Sequence, residues 1–210
     1  MEFHWGMLLC LAGAYLLGSI PTAVWIGKAF FGIDVREHGS GNAGATNALR
    51  VLGTKTGIVV LLLDALKGVA AVALGWLVGD AFSNPDLFSV FQLFLGLFAL
   101  LGHVFPLFAG FRGGKGIATL AGIVTILFPG AILICLAVFL AFFLPTRYVS
   151  LGSIAASLTF PVAVIGITGP AALPEIIFSL LVAIFVPLTH RKNIQRLFKG
   201  RENRIVFRKK

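Results

Sequence analysis

The sequence is dominated by long apolar blocks that are separated by short polar segments. Hydrophobic residues make up 58% of the chain and charged residues only 12%, and the apolar residues do not show the short alternations of a soluble core. In lipid, only a helix or a closed barrel satisfies its own backbone groups, and a helix needs roughly 20 apolar residues to cross about 30 Å of hydrocarbon. The blocks reach this length, so we predict an all-α protein, a polytopic transmembrane helical bundle.

The number of crossings depends on one apolar stretch, residues 117–144. The Pro129-Gly130 pair divides it into pieces of 12 and 14 residues, and such pieces rise only about 18 to 21 Å. Two short spans would give seven crossings in all, which we favour, and one re-entrant hairpin would give five. The other predicted spans lie near residues 7–27, 57–79, 88–108, 151–168 and 173–190.

Lys and Arg residues lie almost entirely on one side of these spans. Nine of the seventeen follow His190, whereas segments 1–6, 80–87, 128–130 and 169–174 contain none. Because short cytoplasmic loops retain Lys and Arg, this bias predicts an outside amino terminus and a cytoplasmic carboxyl terminus. The net charge of +9 is explained by the same bias and by attraction to anionic lipid headgroups, so no nucleic-acid partner is predicted.

The chain shows no repeated halves and no low-complexity linker. We therefore interpret residues 1–210 as a single membrane domain. Its last part, residues 191–210, is basic and has Ile194, Leu197 and Phe198 at helical spacing. This pattern predicts a cytoplasmic or interfacial tail whose helix continues the last span.

Residues 40–50 form the first polar segment that offers groups for chemistry. Glycines let the backbone turn tightly and approach a ligand, and neutral hydrogen-bonding side chains surround Arg50. This composition is typical of an oxyanion cradle, but it equally fits a polar turn in which Thr46 or Asn47 caps the second span. The candidate ligand-binding residues are Ser40, Gly41, Asn42, Gly44, Thr46, Asn47 and Arg50.

A second segment, Gly113-Gly114-Lys115-Gly116, lies directly before an apolar helix that contains Thr119. Backbone N–H groups and an ammonium group at a helix amino terminus favour an anion, and phosphate is the natural candidate. The segment is not a Walker A loop, because Ala109 stands where that motif needs a glycine. A glycine hinge beside a cytoplasmic Lys is the alternative interpretation.

The ionisable residues Asp64, Lys67 and His103 fall inside or at the end of the predicted spans 57–79 and 88–108. Asp64 and Lys67 are three residues apart in the second span, where each unpaired charge would cost about 2.5 to 3.5 kcal/mol. We therefore predict an internal ion pair, with a proton relay as the alternative. A lone histidine at the end of a span, such as His103, is more often a hydrogen-bonded packing residue than a catalyst.

The remaining polar segments lie at residues 147–153 and at the end of the last span. His190 and Asn193 are about one helical turn apart, so both are predicted to project from one helix face at the membrane edge. The turn at residues 147–153 adds the hydroxyl groups of Ser150 and Ser153 beside a basic residue. Together with the first two segments, these groups predict a site for a ligand with more than one anionic group.

These segments resemble the bacterial acyl-phosphate-dependent glycerol-3-phosphate acyltransferase family. Residues 40–50 fit the pattern S-G-N-x-G-A-T-N-x-x-R, and residues 102–119 fit G-H-x-x-P-x-F-x-x-F-[KR]-G-G-K-G-[VI]-A-T. Residues 146–153 are similar to the third loop of the family, and residues 190–202 read H-R-x-N-I-x-R-L-x-x-G-x-E. The resemblance therefore covers nearly the whole chain.

The resemblance implies transfer of a fatty acyl group from acyl phosphate to the 1-hydroxyl of sn-glycerol 3-phosphate. The products would be lysophosphatidic acid and phosphate, in the first step of phospholipid synthesis. The implied location is the bacterial cytoplasmic (inner) membrane, which the chain would cross several times. The implied partners are acyl phosphate, glycerol 3-phosphate and membrane lipid, with no cofactor, no metal and no obligate protein partner.

The resemblance also implies roles for individual residues. Lys115 and Arg50 would bind phosphate, and Gly113 and Gly114 would supply backbone donors to it. Glycerol 3-phosphate would be oriented by His190, Asn193 and Ser153. The acyl phosphate would be bordered by Ser40 and Asn42. The implied catalytic residues are Ser40, Arg50, Lys115, His190 and Asn193, and the implied substrate-binding residues are Gly41, Asn42, Gly44, Thr46, Asn47, His103, Gly113, Gly114, Gly116, Thr119, Ser150, Ser153, Arg196 and Glu202.

Other glycerolipid acyltransferases commonly use an H-x-x-x-x-D motif, and no His of this sequence has an Asp five residues later. Acyl phosphate is already an activated mixed anhydride, so positioning and charge stabilisation can supply most of the acceleration. Two proton acceptors are compatible with the sequence: a substrate phosphate, which we favour, and His190. An anion transporter is the competing class, and the lack of repeated halves and of a charged path argues against it.

Overall fold

The computed structural model describes residues 5–167 and 172–205. Within these ranges the chain forms ten α-helices, and the predicted all-α membrane class is confirmed. The helices are α1 Trp5–Gly18, α2 Thr22–Phe31, α3 Ala45–Leu52, α4 Thr54–Ala73, α5 Pro85–Val104, α6 Ile117–Leu127, α7 Pro129–Thr146, α8 Val149–Ile167, α9 Leu173–Thr189 and α10 Arg191–Phe198.

Several helices of the described residues are long and apolar enough to cross a membrane. Four helical segments qualify singly, namely Thr54–Ala81, Pro85–Ala109, Pro129–Thr146 and Val149–Gly166. Two bent pairs, α1 with α2 and α9 with α10, raise the number to as many as six. Helix α6 is a shorter apolar helix of 11 residues. The described residues thus hold four to six candidate spans, and the number seven stays a prediction.

The first predicted span, residues 7–27, is interrupted by a bend. Helix α1 ends at Gly18 and α2 begins at Thr22, and the two helices meet at 45°. Pro21 occupies the position before α2, where its missing N–H and fixed φ end the first helix and favour the start of the second. The bend takes the backbone carbonyl of Ile20 out of the helical hydrogen-bonding pattern, so that it can accept a bond from another helix.

The interpretation of residues 117–144 as two short helices is correct for the first and wrong for the second. Helix α6 has 11 residues, but α7 has 18 residues and therefore rises about 27 Å. Pro129 is responsible, because proline is well tolerated in the first turn of a helix, where its missing N–H needs no partner. The Pro-Gly pair begins α7, and Phe128 alone separates the two helices.

The chain divides into two compact units, and the first comprises residues 1–127. Its core is formed by α1 against α5 and by α4 against α6, with α4 also packed on α1, α3 and α5. Glycines bring α4 and α6 close together. A Cβ at Gly68 would collide with the carbonyl of Thr119, and a Cβ at Gly122 would collide with that of Ala65. Such close backbone contact is the usual way in which helices pack in lipid.

The second unit comprises residues 128–210. Helix α8 packs between α7 and α9, and α10 contacts α9. Phe128 contacts Phe160 edge to face with ring centroids 5.3 Å apart and stacks on Phe178 at 6.1 Å. Residues 199–205 fold back on the turn between α7 and α8, where the Ile205 N–H donates to the Arg147 carbonyl at 3.0 Å.

The helix predicted for the basic tail is present, but it does not continue the last span in a straight line. Helix α10 is bent by 61° from α9, and His190 lies at the bend. Its φ of −98° and ψ of 7° end α9 and start α10. Ile194 and Leu197 are half-buried and Phe198 is 89% exposed, as expected for a helix with an apolar face at an interface. Residues 206–210 lie outside the described residues.

Candidate active site

The polar loop before α3 is organised by the side chain of Asn47. Its Oδ1 atom accepts hydrogen bonds from the Ser40 N–H at 2.8 Å and from the Ser40 hydroxyl at 3.1 Å. Its Nδ2 group donates to the carbonyls of Val35 at 2.7 Å and His38 at 3.1 Å. Asn47 is only 1% exposed, so these four bonds use both donors and the acceptor of a buried amide.

This geometry assigns different roles to residues that look alike in the sequence. Asn47 fixes the shape of the loop, and its hydrogen-bonding groups are committed to that loop. Neither Thr46 nor Asn47 caps the second span, because α4 begins later, at Thr54. The other candidate residues of this segment are half-buried or exposed: Ser40, Gly41, Asn42 and Gly44 in the loop, and Thr46 and Arg50 in α3.

An ion pair that the sequence interpretation missed lies in the same loop. Arg36 binds Asp34 through two nitrogens, with Nε 3.0 Å from Oδ1 and Nη2 2.7 Å from Oδ2. Its Nη1 atom donates to the carbonyl of Ala109 at 2.7 Å, just before the glycine-rich segment. Arg36 therefore ties the loop of Asn47 to the loop that carries Lys115.

The Asp34–Arg36 pair is electrostatically strong. Side-chain and backbone hydrogen bonds from Arg36, with a further contribution from Lys28, hold the pKa of Asp34 well below its ordinary range. The carboxylate in turn raises the pKa of Arg36. Asp34 also accepts from the Arg36 N–H at 3.0 Å, so that the carboxylate caps the short helical turn that begins at Val35. The pair stays charged at any physiological pH.

The glycine-rich segment is held against the end of α5. The Gly113 N–H donates to the Val104 carbonyl and the Gly114 N–H to the His103 carbonyl, both at 3.2 Å. This corrects the expectation that these two glycines direct their N–H groups to phosphate. They are needed for another reason, because a Cβ on Gly113 or Gly114 would collide with the backbone or ring of His103.

Lys115 and the start of α6 keep the character of an anion site. Gly116 has a φ of +80°, a conformation that glycine adopts readily, and this turns the chain into α6. The first hydrogen bond of the helix runs from the Leu120 N–H to the Gly116 carbonyl at 2.7 Å. The N–H groups of residues 117–119 precede that bond and have no partner within the helix. Half-buried Lys115 stands beside this positive helix end.

Inside the first unit lies a cluster of buried polar side chains. Lys67 Nζ is 2.9 Å from Asp64 Oδ1 and donates to the Ile20 carbonyl at 2.9 Å. The Thr22 hydroxyl donates to the same Asp64 oxygen at 2.9 Å. The predicted internal ion pair of Asp64 and Lys67 is confirmed, and it is tied to the bend between α1 and α2.

His103 extends this cluster toward α6. Its Nδ1 atom is 3.0 Å from the Thr119 hydroxyl and 4.0 Å from Asp64 Oδ1. His103 is 6% exposed and Thr119 is fully buried. Both residues were predicted to bind substrate, but their side chains meet each other inside the unit. The expectation that a histidine at this position is hydrogen-bonded and packed is confirmed.

A small cavity lies beside the cluster. Its volume is about 10 Å³, enough for about one water molecule. It reaches from the ion pair to the two glycines that precede Lys115. The lining residues are Ile20, Pro21, Thr22, Ala43, Asp64, Lys67, His103, Pro106, Gly113 and Gly114.

In the second unit, the predicted site residues gather around Glu202. Its Oε1 atom accepts from Asn193 Nδ2 at 2.6 Å and from the Ser150 hydroxyl at 2.9 Å. Its Oε2 atom is 3.3 Å from Arg196 Nε. The Glu202 side chain is only 3% exposed, so one buried carboxylate joins α8, α10 and the returning tail. By contrast, the Ser153 hydroxyl donates to the Val149 carbonyl of its own helix at 2.9 Å.

His190 has a defined orientation at the bend between α9 and α10. Its Nδ1 atom is 2.8 Å from the Val186 carbonyl oxygen, which can only accept a hydrogen bond. The neutral ring therefore carries its proton on Nδ1, and Nε2 is the basic nitrogen. Asn193 follows in the first turn of α10, where its N–H donates to the His190 carbonyl at 2.8 Å.

No group of three or more His, Cys, Asp or Glu side chains in the described parts of the chain has the arrangement of a metal site. The residues that sequence reasoning missed are Asp34, Arg36 and Thr22. All three are polar and lie before the first motif, residues 40–50. Thr22 and Arg36 gave no signal for their long-range partners, because Asp64 and the Ala109 carbonyl lie 42 and 73 residues away along the chain. Asp34 and Arg36 are only two residues apart.

The chain matches the family model described as glycerol-3-phosphate acyltransferase over residues 8–200. It is 42% identical over 208 residues to the glycerol-3-phosphate acyltransferase of Enterococcus faecalis, with 96% of this chain and 93% of that protein covered. It is 45% identical over 197 residues to that of Trichlorobacter lovleyi, with 94% and 96% covered.

Two solved structures are also similar to the chain. Both are crystal structures of PlsY, described as an integral membrane glycerol 3-phosphate acyltransferase. The glycerol 3-phosphate form has a TM-score of 0.84 and the lysophosphatidic acid form one of 0.81, each at 38% identity. The match covers 95% of this chain in both cases, and 96% and 95% of the respective PlsY chains.

Proposed function

The chain belongs to the glycerol-3-phosphate acyltransferase family, and on this premise we propose that its acyl donor is acyl phosphate. The enzyme transfers the fatty acyl group to the 1-hydroxyl of sn-glycerol 3-phosphate and releases lysophosphatidic acid and phosphate. The observation that carries the proposal is the positive amino terminus of α6, where Lys115 stands beside three N–H groups that lack a helical partner. A phosphate group is the ligand that such a site favours.

The reaction needs few protein groups, because the donor is already activated. The 1-hydroxyl oxygen attacks the acyl carbonyl carbon, the bond from that carbon to the phosphate oxygen breaks, and an ester forms. A phosphate oxygen of the substrate takes the hydroxyl proton, so no protein residue changes its protonation state. Lys115 and Arg50 hold the anions and stabilise the negative charge that develops on the leaving phosphate.

The remaining candidate residues take supporting roles in this proposal. Ser40 and Asn42 border the acyl phosphate, while His190, Asn193 and Ser153 orient glycerol 3-phosphate. Ser150 and Glu202 hold Asn193 and Arg196 in place, a role that their hydrogen bonds and ion pair support. Polar substrates then approach from the cytosol, and the acyl chain stays in lipid.

We propose for the whole chain a single membrane domain with seven crossings. The amino terminus is outside and the basic tail is in the cytoplasm, in the bacterial inner membrane. The positive charges of the tail and of the loops support this orientation. The enzyme works with lipid and its two substrates, without cofactor, metal or obligate protein partner.

A donor assay tests the proposed reaction. Purified protein in detergent receives labelled glycerol 3-phosphate together with acyl phosphate, acyl-CoA or acylated carrier protein, one donor at a time. We expect labelled lysophosphatidic acid with acyl phosphate alone, and its loss in Lys115→Met. Product formation only with acyl-CoA would refute the donor assignment.

The proton acceptor is tested separately through the pH dependence of the rate. If substrate phosphate accepts the proton, His190→Ala lowers the rate but leaves the shape of the pH–rate profile unchanged. If His190 is the base, this variant loses a limb near pH 6 to 7, the range in which a histidine titrates. If His190→Ala lost that limb of the pH–rate profile while its substrate affinity stayed unchanged, the substrate-assisted mechanism would be refuted.

A further inference from the structure

We propose that His103 is a positioning residue for the glycine-rich segment that carries Lys115, and that Thr119 fixes the orientation of its ring. The inference rests on the proposed function only in taking this segment, residues 113–116, as the phosphate site. His103 does not touch substrate in this role. It acts through the backbone that it supports.

The first support comes from the contacts between His103 and the segment. The His103 carbonyl accepts the Gly114 N–H at 3.2 Å, and the neighbouring Val104 carbonyl accepts that of Gly113 at 3.2 Å. The imidazole lies directly against Gly114, where a Cβ would collide with Nε2. A Cβ on Gly116 would come within 3.9 Å of the ring as well. The His103 ring therefore packs directly against the glycine-rich segment and supports its backbone.

The second support comes from what holds the ring. Its Nδ1 atom meets the Thr119 hydroxyl at 3.0 Å, and Thr119 belongs to the first turn of α6. Asp64 Oδ1 lies 4.0 Å from the same nitrogen and is itself fixed by Thr22 and Lys67. The imidazole thus connects the end of α5, the glycines and the start of α6 within one buried cluster.

The consequence for the phosphate site follows from this connectivity. Rotation of the ring would displace Gly114 on one side and release Thr119 on the other. Lys115 and the N–H groups that open α6 lie between these two points along the chain. Their orientation toward a bound anion therefore depends on the buried hydrogen bond between His103 and Thr119. Buried polar groups are costly in such a place, so their arrangement here indicates a role beyond packing.

Two substitutions of Thr119 separate positioning from packing. Thr119→Val keeps the shape of the side chain and removes the hydroxyl, whereas Thr119→Ser keeps the hydroxyl and removes a methyl group. Positioning predicts the larger defect in T119V, and packing predicts it in T119S. Thr125→Val is the matched control, because Thr125 lies in the same helix and its hydroxyl bonds only to the Ala121 carbonyl, at 2.7 Å.

Two readouts are taken on the full-length protein in detergent. In T119V we expect the KM for glycerol 3-phosphate to rise about tenfold with a much smaller change in kcat, and T119S to rise less. We also expect faster amide hydrogen exchange in the segment 112–119 of T119V, with T125V unchanged in both readouts. If T119V does not fold, His103→Asn replaces it, since it removes the ring under Gly114 and is expected to show the same changes.

The outcomes distinguish this inference from the proposed reaction. Wild-type exchange and KM in T119V or His103→Asn, or a larger defect in T119S than in T119V, would overturn the positioning role. If the wild type makes no lysophosphatidic acid from acyl phosphate, the proposed donor fails. Even in that case, faster amide exchange of residues 112–119 in T119V than in the wild type would support His103 as the positioning residue.

Discussion

The two compact units organise their polar groups in different ways. In the first unit, three separate side-chain groups each hold one part of the loops: the Asn47 amide, the Asp34–Arg36 pair and the cluster around His103. In the second unit, one carboxylate, that of Glu202, accepts the bonds of Ser150, Asn193 and Arg196. The contacts that hold the loops of the first unit are therefore divided among three groups, whereas three side chains of the second unit share one acceptor.

The difference follows from how the chain reaches each set of loops. The polar loops of the first unit, residues 32–44 and 105–116, are long, so several contacts are needed to fix them. In the second unit, α10 and the returning tail are short, and one acceptor at residue 202 spans the distance to α8. Substitutions of the side chains that order the loops should therefore be tolerated better in the first unit than in the second.

Among the side chains that order the loops, the largest effect is expected for Glu202→Ala. It removes the acceptor that Asn193, Ser150 and Arg196 share, and leaving a buried donor without its acceptor costs about 1 to 3 kcal/mol. We expect a drop of about 100-fold in kcat/KM and a lower Tm, both measured in detergent. Glu175→Gln is the control, because Glu175 lies outside the group around Glu202 and accepts from the Ala172 N–H at 3.3 Å. Wild-type activity of E202A would break the comparison between the units.

A smaller effect is expected for Asn47→Asp, which tests one of the three groups in the first unit. The new side chain keeps an acceptor for Ser40 but loses both donors to the Val35 and His38 carbonyls. We expect about a tenfold loss of kcat/KM, because the two other groups still hold the loops. Asn84→Ala, which removes only a helix cap, should keep wild-type activity. A loss as large as that of E202A would contradict the distributed arrangement.

The Asp34–Arg36 pair allows a charge-conserving test. Arg36→Lys keeps the positive charge but cannot bind Asp34 through two nitrogens and also reach the Ala109 carbonyl. We expect about a fivefold loss of kcat/KM. Lys28 is the other cation beside Asp34; its side chain is 57% exposed and its Nζ atom lies 3.3 Å from Asp34 Oδ2. Lys28→Met should have no measurable effect on kcat/KM. Equal losses in the two variants would show that charge matters here rather than the tie between the loops.

The smallest expected effect is a pH dependence of stability. Arg36 holds the pKa of Asp34 well below its ordinary range, so the pair adds stability at neutral pH and loses it as the pH falls through the lowered pKa. The Tm difference between wild type and Asp34→Asn should stay constant from about pH 8 to pH 5 and shrink only below about pH 4. A difference that vanished between pH 7 and 5 would contradict the strength assigned to the pair.

The sequence predicted the helices, the buried Asp64–Lys67 pair and the polar loops well, because apolar length and composition are local properties. It was less successful in assigning single groups. Asn47 has a side chain of the kind that binds ligands, but its amide group donates to the Val35 carbonyl of the preceding loop. Gly113 is needed for close contact with His103 rather than for its N–H. Arg36 binds a carbonyl 73 residues away, and no local pattern reveals such a partner.

The most direct test of the proposed function measures both products in one reaction. Purified protein is mixed with acyl phosphate and glycerol 3-phosphate, and lysophosphatidic acid and inorganic phosphate are determined at the same time points. We predict that the two products appear in equal amounts and that both disappear in Lys115→Met. Phosphate release without lysophosphatidic acid, or lysophosphatidic acid formed only from another acyl donor, would contradict the proposal.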